Sequence, residues 1–123
     1  MSKTILVVDD YADFAQLLAR RLKAEGFETW LAQDGPSGIQ KAKELKPDLI
    51  ILDIMMPGVG GTEVRVELMK DLTTRDIPII FLTGLRAPQT PRQGARGSIP
   101  VIGKSKDFKE LLQVIRENLN LTA

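Results

Sequence analysis

Five polar residues stand where short apolar runs end. Asp9 and Asp10 follow ILVV, Asp53 follows LIIL, Thr83 follows IIFL, and Lys104 follows VIG. Three carboxylates, a hydroxyl and an ammonium form a coherent chemical set if the fold brings them together. Carboxylates a few ångströms apart repel and raise one another's pKa, and such a cluster is tolerated when a cation compensates. Mg²⁺ suits it, because this hard ion takes oxygen ligands in octahedral geometry and keeps several waters, so one or two carboxylates and a carbonyl suffice. A carboxylate beside bound Mg²⁺ can attack a phosphoryl donor and become an aspartyl phosphate. Lys104 would then neutralise phosphoryl oxygens, and the Thr83 hydroxyl would hydrogen-bond one of them.

Taken singly, each residue has a plainer reading. An aspartate after a strand often caps the next helix, so Asp10 or Asp13 could cap the first one. Lys104 could be a solvated surface lysine and Thr83 a turn former. Only the convergence of all five on one sheet edge favours chemistry. Gly58, Gly60 and Gly61, with Pro57, serve the turn after the third strand and are assigned no ligand. Gly103-Lys104-Ser105 is similar to the end of a phosphate-binding loop, but that motif needs a glycine where Ser98 stands, and a strand occupies its loop region.

The elements that must position these residues alternate in type. Short apolar runs at residues 4–8, 27–32, 49–52, 77–82 and 99–102 alternate with amphipathic stretches, the mark of βαβ units. Phe14, Leu17, Leu18 and Leu22 recur at helical steps before Gly26, as do Phe108, Leu111, Leu112, Ile115 and Leu119 near the end. Weaker periodicity predicts helices over residues 37–45 and 62–72, carrying Ile39, Ala42, Val64, Leu68 and Met69. Central parallel strands are buried on both faces and read as unbroken apolar runs. The runs at 5–8, 49–52 and 79–82 fit, whereas Glu28 and Thr29 place the second strand at an edge and Pro100 places the fifth at the other. The expected fold is therefore α/β, a doubly wound five-stranded parallel sheet of order 2-1-3-4-5, with its ligand site at the switch point between strands one and three.

Composition narrows the function. The 123 residues fit one domain spanning 1–123, and a net charge of +1 supplies no general field for nucleic acid or an anionic membrane. With neither cysteine nor histidine, disulfides, thiolate or imidazole zinc sites and Ser-His or Cys-His catalysis are excluded. No apolar run approaches a membrane span of roughly 18 residues, so a cytoplasmic protein without membrane insertion is expected.

The stretches ILVVDD, LIILDIMMPGVGG, IPIIFLTG and VIGK together resemble the signature motifs of two-component response-regulator receiver domains, in order and spacing, over nearly the whole chain. The resemblance, to single-domain chemotaxis-type receivers in particular, implies a flavodoxin-like fold with Asp53 as phosphoacceptor. It implies Asp10 and Asp53 as direct Mg²⁺ ligands with Asp9 assisting, the Met55 carbonyl as a further ligand, and Thr83 and Lys104 completing the set. It also implies a sensor histidine kinase or histidine phosphotransfer protein as donor, an unknown downstream protein as target, and no enzymatic activity beyond the receiver's own phosphorylation and dephosphorylation. The competing reading is a receiver-like interaction scaffold that works without phosphorylation. A free-standing phosphohydrolase would need a general acid near Asp53, which Ile54 and Met55 do not offer. Direct DNA binding would need an appended domain, so the chain reads as a stand-alone receiver or a piece of a longer protein.

Three departures from the family pattern stand out. Ser105 follows Lys104 where a proline with a cis bond is usual, and a cis bond without proline costs roughly 2.5–4 kcal/mol, so either that strain is tolerated or the lysine is aimed through a trans bond. Val101 replaces the usual switch aromatic. The fourth-helix stretch, residues 85–99, contains Pro88, Pro91, Gly94 and Gly97, which predict a short, irregular or mobile segment. With Arg86, Arg92 and Arg96 it reads either as a loop that orders on phosphorylation or on partner binding, or as ordinary soluble surface. Apolar Met55 and Leu85 beside the site suggest slow hydrolysis of the phosphoryl group.

Overall fold

The computed structural model describes residues 2–84 and 99–121. Its elements run β1 (Thr4–Val8), α1 (Ala12–Ala24), β2 (Glu28–Ala32), α2 (Gly35–Leu45), β3 (Leu49–Asp53), α3 (Gly61–Met69), β4 (Ile79–Thr83), β5 (Val101–Gly103) and α4 (Phe108–Asn118). The strands form one parallel sheet in the order β2-β1-β3-β4-β5, as the apolar patterning requires. The predicted fourth helix and the arginine-bearing loop lie outside the described residues, and so does Leu85.

Alternation along the strands builds two apolar layers. Ile5, Val7, Leu49, Ile51, Ile80 and Leu82 face α1 and α4, packing on Leu18, Leu22, Leu111 and Ile115. Their neighbours Leu6, Val8, Ile50, Leu52 and Phe81 face the opposite layer with Ala42, Val64 and Leu68 of α2 and α3. Every residue of β3 and β4 is buried, whereas β2 alternates between buried and solvent-facing positions. Pro100 does not lie within the last strand. It precedes β5, and its carbonyl accepts from the Phe81 N–H (2.9 Å), a role that needs no N–H of its own.

Local chemistry sets the helix ends. Asp34 caps α2 by accepting from the Ser37 N–H (2.8 Å), with Pro36 in the first turn. Asp107 does the same for α4 through the Lys109 N–H. α1 ends where Gly26 takes φ +96°. The side chain of Leu17, expected in the apolar stripe of α1, is exposed, and Ala15 and Ala19 are buried instead. Met69 is likewise exposed on α3, whose core contact rests on Val64 and Leu68.

Candidate functional site

The C-terminal ends of β1, β3, β4 and β5 meet at one sheet edge, where β1 delivers Asp9 and Asp10 and the other three deliver Asp53, Thr83 and Lys104. Asp9 directly follows β1 and is completely buried. One of its oxygens, Oδ1, accepts from the Tyr11 N–H (2.9 Å), which turns the chain into α1. Tyr11 itself is the N-cap of α1 and no side chain caps that helix, so neither Asp10 nor Asp13 plays the plain capping role. Asp10 is exposed at the mouth of the pocket. Asp53 is the last residue of β3 rather than the one after it, is buried, and accepts from the Met55 N–H at Oδ1 (3.3 Å). Carboxylate oxygens of Asp9, Asp10 and Asp53 lie within 4.8 Å of one another.

Thr83 ends β4, buried, opposite Gly103 of β5. Its carbonyl accepts from the Lys104 N–H (2.8 Å), so the ladder that pairs β4 with β5 also fixes where the lysine begins. From there Lys104 reaches across the sheet edge. Its Nζ donates to Asp9 Oδ1 (3.1 Å) and Asp53 Oδ2 (3.3 Å) and lies 2.9 Å from Asp9 Oδ2. That last contact is an ion pair whose angle makes no hydrogen bond, and Asp9 Oδ2 is left as a buried oxygen without a hydrogen-bond partner. There is no cis peptide bond among the described residues, so Lys104 is aimed through a trans bond to Ser105 and still meets both carboxylates. Both termini of the reach are thus backbone-defined.

The electrostatics follow from burial. Loss of water pushes the Asp53 carboxyl up from 3.8 to about 6, the neighbouring Asp9 charge pushes in the same direction, and Lys104 and the Met55 N–H only partly offset them. Burial also works to lower the pKa of Lys104, but the hydrogen bond and charge of Asp9, then Asp53, outweigh it and leave the ammonium more firmly protonated than usual. Among the described residues, two buried carboxylates against one ammonium leave the pocket short of positive charge. Its donors are all oxygen, and one is the unsatisfied Asp9 Oδ2, which fits a hard divalent cation.

Residues 5–116 match the sequence family described as the response regulator receiver domain. The chain belongs to that family. The response regulator PleD of Caulobacter vibrioides is 46% identical over 85 residues, 69% of this chain and 19% of its own. RpaA of Synechocystis, described as a DNA-binding dual master transcriptional regulator, is 37% identical over 119 residues, 96% of this chain and 49% of its own. The receiver thus spans half or less of the length of these relatives. Among solved structures, chemotaxis protein CheY4 of Vibrio cholerae superposes with a TM-score of 0.81 at 25% identity, covering 95% of this receiver and 98% of that chain. Receiver domains of this family are modules of two-component phosphorelay signalling.

Sequence reasoning missed one neighbour of the site. Phe14 of α1 counted only as a core residue, yet its ring centroid lies 4.9 Å from Lys104 Nζ. Its position at the fourth place after the aspartate pair, in the first turn of α1, carried no polar signal.

Proposed function

We propose that this receiver accepts a phosphoryl group on Asp53, in a reaction supported by Mg²⁺, from a phosphohistidine on a sensor kinase or phosphotransfer protein. The observation that carries the reading is the buried, lysine-tethered Asp53 among carboxylates that share too little positive charge. Asp9, Asp10 and Asp53, with the Met55 carbonyl, would hold the ion. Bound Mg²⁺ supplies charge neutralisation for the carboxylates and for the incoming phosphoryl oxygens.

Each protein group then has one task. The ionised Asp53 carboxylate attacks phosphorus, the bond from phosphorus to the donor's imidazole nitrogen breaks, and that nitrogen keeps the electron pair and takes up a proton. Lys104 exchanges its contact with Asp53 for one with a phosphoryl oxygen, and the Thr83 hydroxyl donates to another. The new acyl phosphate biases the receiver towards its partner-binding conformation.

Incubation with Mg²⁺ and acetyl phosphate, read by intact mass, is the direct test. Wild type should gain one phosphoryl group and Asp53→Asn none. No gain by wild type, with Mg²⁺ binding also absent, would leave the phosphorylation-independent scaffold as the better reading.

A further inference from the structure

The chain around Lys104 offers its side chain little support. Gly103 precedes it, Ser105, Lys106 and Asp107 after it are all exposed, and the Lys106 N–H closes a turn onto the Gly103 carbonyl (3.0 Å). Beside the lysine, between α1, β5 and the start of α4, lies a cavity of about 150 Å³ whose lining includes Leu17, Leu18, Leu111 and the lysine itself. A flexible four-carbon stem has somewhere else to go. Phe14, packed against the α1-side core layer, lines the same cavity and holds its ring face 4.9 Å from the ammonium.

We propose that Phe14 is a positioning residue for phosphoryl transfer, its ring face holding the Lys104 ammonium over the Asp9–Asp53 pocket while the lysine changes anionic partner. The proposal rests on Asp53 being the phosphoacceptor. Carboxylates alone are a poor guide for that exchange, because the Asp53 oxygen that holds the lysine is part of the group that becomes phosphorylated. An aromatic face attracts the ammonium through its quadrupole and carries no charge, so it does not compete with the arriving phosphoryl oxygens. A second pair of the opposite sense, Arg21 of α1 over the Phe108 ring of α4 (5.3 Å), fixes α1 to the far end of the same turn. The ring and the lysine are thereby held in register from both sides.

The test compares Phe14→Leu, which keeps an apolar side chain, with Phe14→Tyr, which keeps the ring face. At saturating Mg²⁺ and acetyl phosphate, Phe14→Leu should phosphorylate about three- to tenfold more slowly, and Phe14→Tyr should restore the rate to within about twofold. Proton spectra should show the Lys104 ε-methylene shifted upfield by the ring in wild type and Phe14→Tyr and not in Phe14→Leu, a signature that general loosening of the core does not reproduce selectively. Equal rates for Phe14→Leu and a phosphorylated wild type would overturn the proposal alone. A wild type that accepts no phosphoryl group would overturn the phosphoacceptor reading beneath it.

Discussion

Lys104 lies closer to Asp9 than to Asp53, 2.9 Å against 3.3 Å, although Asp53 is the residue with the strongly raised pKa. Among the described residues the lysine is thus the cation of the pocket, and it sits nearest the completely buried Asp9.

Replacing Lys104 by methionine should therefore separate metal binding from transfer. The Mg²⁺ affinity should rise severalfold, because an ammonium no longer repels the ion, while the phosphorylation rate should fall by more than about tenfold for lack of a group on the phosphoryl oxygens. Without Mg²⁺ the variant should lose roughly 2–4 kcal/mol of stability by leaving buried carboxylates unpaired. Titration calorimetry, acetyl phosphate kinetics and urea unfolding check the three parts, and weaker Mg²⁺ binding would contradict the competition.

The raised Asp53 carboxyl predicts a pH signature in metal-free protein. Its folded pKa of about 6 exceeds the unfolded 3.8, so the folded state binds the proton more tightly. The resulting stabilisation is complete below 3.8 and disappears as pH rises through about 6, on the order of 2–3 kcal/mol in all. Asp53→Asn should gain stability relative to wild type between pH 5 and 8, by an amount of that order, as measured by denaturant unfolding. Saturating Mg²⁺, which favours the ionised carboxylates, should remove most of the difference.

Two glycines in the turn after β3 should behave differently. A Cβ on Gly61 would run into the Asp53 carbonyl, so Gly61→Ala must push α3 away from the end of β3. It should cost about 1–3 kcal/mol and weaken Mg²⁺ binding. Gly58 has open space around it but takes φ +74°, so Gly58→Ala should cost about 1–2 kcal/mol of backbone strain and leave metal affinity unchanged. Thermal unfolding with and without Mg²⁺ distinguishes the two.

A fourth expectation concerns the end of α3. Buried Thr74 donates its hydroxyl to the Leu68 carbonyl (2.7 Å), so Thr74→Val should lower stability by about 1–2 kcal/mol without altering phosphorylation.

Most of the fold was legible because parallel sheets write themselves plainly. Unbroken apolar runs marked β1, β3 and β4 as central, and Glu28 and Pro100 marked the flanks. Boundaries moved by a residue or two, as at Asp53 and Thr83, since the last residue of a strand can be polar when it faces a site. The gathering of the five candidate residues at one sheet edge was legible from type and position. Their hierarchy was not: burial of Asp9 against Lys104 and exposure of Asp10 depend on how α1 leaves the sheet, which the Tyr11 N–H decides. Phe14 was legible only as an apolar residue, because a ring's use of its face leaves no trace in hydropathy.

The register Asp53↔Leu82 and Thr83↔Gly103 gives this chain an uneven tolerance for change in length. Loops and helices on the far side of the sheet can gain or lose residues without moving the pocket. One residue inserted within β3 or β4 would turn the Asp53 or Thr83 side chain to the opposite layer and bury a charge or hydroxyl among leucines. Among descendants of this sequence, strand length is the quantity selection can least afford to let drift.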